Sequence, residues 1–133
     1  MKEILFRGKD LSGIMNHGWF YGSLDLSFNP EFPRIICKDR FDNTIYIEVD
    51  KETVGQFTGI KDKNGTKIFE GDILLYDNVQ KVVVSFKNGQ FVIDHYAINL
   101  LCERNNKSEV IGNIYDNPEL THQHEDKGEN FGN

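Results

Sequence analysis

The chain contains few of the residues that favour a helical protein. Alanine occurs once and methionine twice in 133 residues, and there are nine leucines. Against these twelve stand 37 Val, Ile, Phe, Tyr and Trp residues. Such side chains lose rotamer freedom in a helix but pack well on a pleated sheet. The composition therefore predicts an all-β fold and argues against an all-helical bundle.

Signals for export or membrane insertion are also missing. No apolar run approaches the roughly 20 residues that a membrane-spanning helix needs. Residues 1–7 (MKEILFR) lack the apolar segment and the small-residue cleavage site of a signal peptide. The two cysteines, Cys37 and Cys102, stand outside any CxxC or Cys-His ligand spacing. We therefore expect a cytoplasmic protein with reduced thiols and no membrane partner.

The negative charge is concentrated at the C-terminal end. Residues 116–133 hold five acids and one lysine, whereas residues 1–115 hold 16 acids and 14 bases. A protein that binds duplex nucleic acid needs a clustered basic face. The near-neutral body makes nucleic acid the less expected partner, although folding could gather five lysines into one basic rim: Lys61, Lys63, Lys67, Lys81 and Lys87.

Residues 51–120 show regular strand signals, which predict five strands joined by short turns, at 53–60, 72–76, 81–87, 90–94 and 109–115. The clearest is a hairpin, because Asn88-Gly89 lies between 81–87 and 90–94, two segments rich in β-forming residues. A type I′ turn requires positive φ at both central positions, which Asn and Gly tolerate. The register pairs Phe86 with Phe91 and directs one apolar face to the core. We expect these strands to close into a small SH3-like barrel, which would remove exposed edges.

Residues 1–50 predict a second, N-terminal β subdomain that packs against the barrel. Strand signals lie at 3–7, 19–21, 24–28, 34–38 and 44–49, and Gly22-Ser23 is predicted to separate the second from the third. Residues 121–133 hold one apolar residue, Phe131, which predicts a disordered acidic tail.

Four segments carry a resemblance to a known family: 6–10 (FRGKD), 49–65 (VDKETVGQFTGIKDKNG), 68–74 (IFEGDIL) and 110–120 (VIGNIYDNPEL). In this order they strongly resemble the YopX family of bacteriophage and prophage proteins. Lys51 departs from the family, which often has proline there. The resemblance implies a phage source and an all-β fold with an SH3-like barrel toward the C-terminus, and it assigns no catalytic residues.

The motif residues have a structural interpretation. The glycines are expected to serve positive-φ turns, bulges or close backbone contacts. Asp72 is expected to bond a local backbone N–H, as aspartate does in turns, and Asn113 to mark a bulge. The positions concerned are Gly55, Gly59, Asn64, Gly65, Gly71, Asp72, Gly112 and Asn113.

No catalytic, cofactor or metal motif stands out. The sequence has no GxSxG, GxGxxG or GxxxxGK[ST]. His122 and His124 could chelate a metal, but a flexible tail supplies no preorganised ligand geometry. A carboxylate site assembled from dispersed acids stays open, because 21 acids make some neighbours inevitable. We therefore expect a protein that is not an enzyme and binds no cofactor.

Burial is the favoured interpretation of the aromatic cluster 19–21 (WFY), because alternation puts Trp19 and Tyr21 on one face and Phe20 on the other, and at least one face is expected to be core. A partner surface is the alternative interpretation. Trp19, Tyr21 and Phe32 are the candidates for a partner surface, since exposed aromatic side chains can anchor a protein or stack on bases. Our leading hypothesis is a non-enzymatic phage accessory protein that binds another protein of the host or the phage. The alternative is nucleic-acid binding in phage replication or transcription. The sequence leaves open whether the chain forms homo-oligomers.

Overall fold

The computed structural model describes residues 3–93, 96–98 and 106–121. In these ranges the chain is nearly all β, which confirms the predicted class, and its strands form two antiparallel sheets. The elements are β1 (Phe6–Lys9), β2 (Trp19–Asp25), β3 (Arg34–Lys38), β4 (Thr44–Glu48), a 3-10 turn (Lys51–Thr53), β5 (Gly55–Lys61), β6 (Lys67–Phe69), β7 (Asp72–Tyr76), β8 (Gln80–Lys87), β9 (Gln90–Ile93), β10 (Tyr96–Ala97), β11 (Ser108–Asn113) and a helical turn at 118–121.

The chain divides into two compact units, Met1–Gly59 and Ile60–Asn133, which we call unit 1 and unit 2. The boundary expected from the sequence lies nine residues earlier, after Asp50. The difference arises at β5, whose first residues still pair with β1 of unit 1 through Phe6–Gln56 and Arg7–Gly55.

Unit 1 is built on a sheet in the order β4-β3-β2-β1-β5. The prediction that Gly22-Ser23 separates two strands is wrong, because β2 runs through both residues. The reason is a close approach of two backbones. A Cβ atom on Gly22 would lie 2.0 Å from the carbonyl oxygen of Ile36, so only glycine allows β3 to pair here. Ile35 is fully buried on one face of this sheet.

Unit 2 holds a sheet in the order β10-β9-β8-β7-β11. The hairpin prediction is confirmed, since Phe86 pairs with Phe91 and Lys87 with Gln90, and Asn88 and Gly89 have φ of 53° and 80°. Phe86 and Phe91 pack edge to face with ring centroids 5.0 Å apart, although Phe86 is half exposed. The core beneath consists of Ile68, Leu74, Val82, Val84, Ile93 and Ile98.

The prediction of a closed barrel is wrong for the part of the chain that the structure describes. β10 and β11 form the two edges of the five-stranded sheet and do not pair with each other. β10 is only two residues long, and β11 changes register between Val110 and Gly112, so neither edge offers a long regular ladder. An SH3-like strand arrangement stays a prediction. Of the predicted tail, Thr121 ends the helical turn and residues 122–133 lie outside the described residues.

Candidate functional site

One face of the unit 1 sheet carries aromatic and basic side chains together. Directly paired residues of an antiparallel sheet point to the same side. The register pairs Lys9 with Trp19 and Arg7 with Tyr21, and further along it pairs Arg34 with both Asp25 and Glu48. Alternation along β2 and β4 then places five side chains on this side: Trp19, Tyr21, Asp25, Arg34 and Tyr46. We call these five residues and the neighbouring Phe28 the aromatic face.

Arg34 occupies the centre of the aromatic face. Its guanidinium carbon lies 5.2 Å from the ring centroid of Phe28 and 4.7 Å from that of Tyr46. Its Nε and Nη2 atoms donate to Asp25 Oδ2 at 3.0 and 2.6 Å. Cation–π contacts and two charge-assisted hydrogen bonds to one carboxylate oxygen therefore hold the guanidinium in one orientation.

The carboxylate of Asp25 is itself fixed by a local turn. It accepts hydrogen bonds from the hydroxyl and the backbone N–H of Ser27, at 2.6 and 2.9 Å. These bonds, with that of Arg34, lower the pKa of Asp25 from its ordinary 3.8 to about 2. The carboxylate is thus ionised at neutral pH and keeps the Arg34 charge neutralised.

Exposure of the aromatic rings is high in and beside this face. Phe28 is 74% exposed and Tyr46 is 53% exposed. Phe41, in the turn between β3 and β4, is 71% exposed and lies 5.1 Å from the guanidinium carbon of Arg40. Clusters of exposed aromatic residues with arginine are typical of protein interfaces.

The three partner-surface candidates from the sequence differ in their position and in how exposed they are. Tyr21 is on the aromatic face and is 46% exposed. Trp19 is on the same face but is half-buried, with the side-chain cations of Arg7 and Lys9 at 4.6 and 5.8 Å from its ring. Phe32 is 45% exposed in the loop between β2 and β3. The sequence missed Phe28, Arg34 and Tyr46, although the alternation in 44–48 (TIYIE) already separates Tyr46 from the two isoleucines.

The family-motif residues of unit 2 organise turns. Asp62 is buried, and its Oδ1 accepts from the N–H groups of Asn64 and Thr66 at 2.8 and 2.9 Å. Its Oδ2 accepts from the N–H of Val110 at 2.9 Å, which ties the 62–66 turn to β11. Gly65 occupies the turn with φ of 85°. Asp62 was not among the residues singled out from the sequence.

A second motif cluster surrounds Gly71 and Asp72. The Asp72 carboxylate is buried and accepts from the backbone N–H of Phe69 at 2.7 Å, consistent with the local bond expected for it. Gly71 has φ of 92°, and a Cβ there would lie 3.0 Å from the ring of Tyr115. A larger residue at Gly71 would therefore meet both strain and a close contact.

The residues of the C-terminal motif segment, 110–120, also organise a turn. A Cβ on Gly112 would lie 2.4 Å from Asn117 Oδ1, which accepts from the N–H of Asn113 at 3.1 Å. Asn113 Oδ1 in turn accepts from the N–H groups of Tyr115 and Asp116, at 3.0 and 2.9 Å. Two motif positions lie in β5: Gly55 is buried at its start and Gly59, with φ of 89°, is exposed.

The structure does not gather the five lysines into one rim. Lys81 and Lys87 lie at opposite ends of β8, about 20 Å apart at roughly 3.3 Å per residue. Lys63 faces Glu109, with Nζ 3.8 Å from Oε1. The basic charge of unit 2 is therefore spread along its strands and is partly compensated.

Groups that could support metal or nucleophile chemistry are few in the described ranges. No set of three His, Cys, Asp or Glu residues there is close enough to hold a metal ion. Cys37 is a free thiol, and burial raises its pKa. Cys102, His122 and His124 lie outside the described residues. In the same ranges no helix is long and apolar enough to cross a membrane.

Fold and surface together define an all-β protein of two units with an exposed aromatic face. A family model described as YopX protein matches residues 15–122, and the chain therefore belongs to the YopX family. It is similar in structure to protein EF1440 from Enterococcus faecalis, known from a crystal structure. The TM-score is 0.57 at 23% sequence identity, covering 90% of this chain and 99% of that chain, and this likeness shows the fold alone. No curated protein matches the chain.

Proposed function

We propose that the chain is a non-enzymatic accessory protein of a phage or prophage that binds another protein in the host cytoplasm. The aromatic face is the proposed binding surface. The observation that carries this proposal is the pair of exposed rings, Phe28 and Tyr46, on either side of the half-buried Arg34, whose guanidinium is held by Asp25. Aromatic and arginine side chains dominate the energetic centres of protein interfaces, and here they are already ordered before a partner arrives.

Nucleic-acid binding is the alternative, and the charges favour it less. Single-stranded nucleic acid binds to aromatic platforms that lie beside free cations. Arg34 is neutralised by Asp25, and the charge of Lys38 interacts with the neighbouring carboxylate of Asp39. Because the central cation of this face is already neutralised, binding phosphates there releases fewer counterions and gains less affinity by that route.

The test uses the whole chain with a photo-crosslinking phenylalanine analogue at Phe28 and, in a second version, at Val79. Val79 is 84% exposed and lies in unit 2, so it is a matched control for exposure. After irradiation in phage-infected host lysate, we expect one protein to be captured at position 28 and not at position 79. Capture of nucleic acid at position 28 would favour the alternative, and equal products at both positions would contradict the assigned surface.

The captured protein is then purified and titrated against variants. Phe28→Ser and Tyr46→Ser are each expected to weaken binding on the order of tenfold or more, as truncation of an interface anchor does. Val79→Ser is expected to leave the affinity unchanged. All three side chains are at least half exposed, so the variants should fold like the parent chain. Equal affinities for all variants would refute the proposal.

A further inference from the structure

The outer edge of β4 carries backbone groups that β3 does not use. β3 and β4 are antiparallel, with Ile36 opposite Tyr46 and Lys38 opposite Thr44. In the same ladder Asp39 N–H donates to Asn43 C=O and Val49 N–H donates to Pro33 C=O. Since hydrogen-bonded pairs alternate along such a ladder, the odd-numbered residues of β4 bond to β3. The N–H and C=O groups of Thr44 and Tyr46 therefore point away from the sheet.

Part of this edge is already covered. Leu11 N–H donates to the carbonyl of Glu48 at 3.0 Å, and Asp10 forms an isolated bridge with Val49. The uncovered stretch is Thr44 to Tyr46, which presents two donors and two acceptors. It contains neither proline nor lysine, the residues with which natural edges often prevent pairing.

This stretch is complementary to itself. An antiparallel copy can place Thr44 opposite Tyr46 of the second protomer, and Ile45 opposite its own copy. That register makes four backbone hydrogen bonds and joins two half-buried isoleucines on one side of the extended sheet. The register also brings Glu48 of each strand nearest to Asp42 of the other, so screening of these like charges by salt should strengthen the pairing.

The copy is accommodated by the turn that precedes β4. Residues 39–43 turn back toward β3, with Asp42 at φ of 66°. The second strand therefore leaves the edge before it reaches Leu11. A preformed strand also loses less conformational freedom on pairing than a flexible foreign peptide would.

We propose that two copies of the chain associate edge to edge through β4, in the register that pairs Thr44 with Tyr46. This interface uses backbone groups at the edge of the unit 1 sheet, whereas the proposed binding of a partner uses side chains on the aromatic face. A chain that stays monomeric could still bind that partner, so the two proposals fail independently.

Tyr46→Pro is the decisive variant, with Tyr46→Thr as its matched control. Proline removes an N–H that points away from β3, a position that edge strands tolerate. Threonine removes the same ring but keeps the N–H. Sedimentation velocity from about 10 to about 500 µM, a range suited to weak interfaces, should show a concentration-dependent dimer for the parent and the Thr variant. The Pro variant should dimerise at least tenfold more weakly, while its circular dichroism spectrum stays that of the parent.

Hydrogen exchange of the unmodified chain supplies a second measurement that needs no variant. The Ile45 and Ile47 amides should exchange slowly at every concentration, because they bond to β3. The Thr44 and Tyr46 amides should exchange fast in dilute solution and become protected as the concentration rises. A parent chain that is monomeric throughout, equal behaviour of the two Tyr46 variants, or concentration-independent exchange at Tyr46 would overturn the proposal.

Discussion

Replacing Asp62 should reveal how much one buried carboxylate contributes to unit 2. Asp62→Asn preserves shape and keeps Oδ1 for the N–H groups of Asn64 and Thr66. It replaces Oδ2, which accepts from Val110 N–H, by an NH₂ group that cannot accept. One charge-assisted bond is lost and a half-buried donor is left unpaired, which costs about 1.5–3 kcal/mol. Asp62→Ala also loses the two turn bonds, at about 0.5–1.5 kcal/mol each, because exposed amides can turn to water.

Urea denaturation followed by circular dichroism measures these losses as changes in the free energy of unfolding. Asp77→Asn is the control, since Asp77 is exposed and its oxygen lies 3.8 Å from Lys107 Nζ. Such a surface pair should change the free energy by about 1 kcal/mol at most. Faster hydrogen exchange at the Val110 amide should accompany the loss in Asp62→Asn. If Asp62→Asn were as stable as Asp77→Asn, the reasoning about this carboxylate would be refuted.

Three further outcomes follow from the same structure. Gly22→Ala should lower the free energy of unfolding by about 1–3 kcal/mol or more, because the added Cβ would overlap the Ile36 carbonyl. A urea titration showing a loss below about 1 kcal/mol would contradict this. Gly112→Ala should also destabilise the chain and speed exchange at the Asn113 amide, because its Cβ would displace the Asn117 side chain. Asp25 has a lowered pKa, so its stabilising contribution is complete above about pH 4 and is lost as the pH falls toward 2. In Asp25→Asn the free energy of unfolding should therefore fall less between pH 4 and pH 2 than in the parent chain. An equal fall in both chains would argue against the assigned ion pair.

Local sequence signals predicted the parts of the fold that depend on neighbouring residues. The Asn88-Gly89 hairpin came out in the predicted register because its turn type fixes which residues pair. Asp72–Tyr76 and Arg34–Lys38 likewise agree with the predicted strand bounds. Strand β6, at Lys67–Phe69, was missed because three residues are too few to show a period.

The same glycine-based reasoning failed where a distant strand decided the outcome. Gly22-Ser23 has the composition of a turn, and within 19–28 nothing distinguishes it from one. The deciding contact is between Gly22 and Ile36, fourteen residues further on, whose carbonyl needs the space that a Cβ would fill. A glycine that serves a turn and one that serves a close strand pairing are identical locally, so only tertiary structure separates them.

The aromatic face depends on nonlocal register in a similar way. Phe28, Arg34 and Tyr46 come from a loop and two strands, and their grouping follows from β3 pairing with both β2 and β4. A shift of one residue in either ladder would turn Arg34 or Tyr46 to the side that buries Ile35. The exposed cluster is therefore a consequence of the burial of Ile35: once that side chain is in the core, its neighbours Arg34 and Ile36 must face outward. The Asp25 carboxylate then fixes Arg34 in place, so the arrangement of this face is set by the core and by one ion pair.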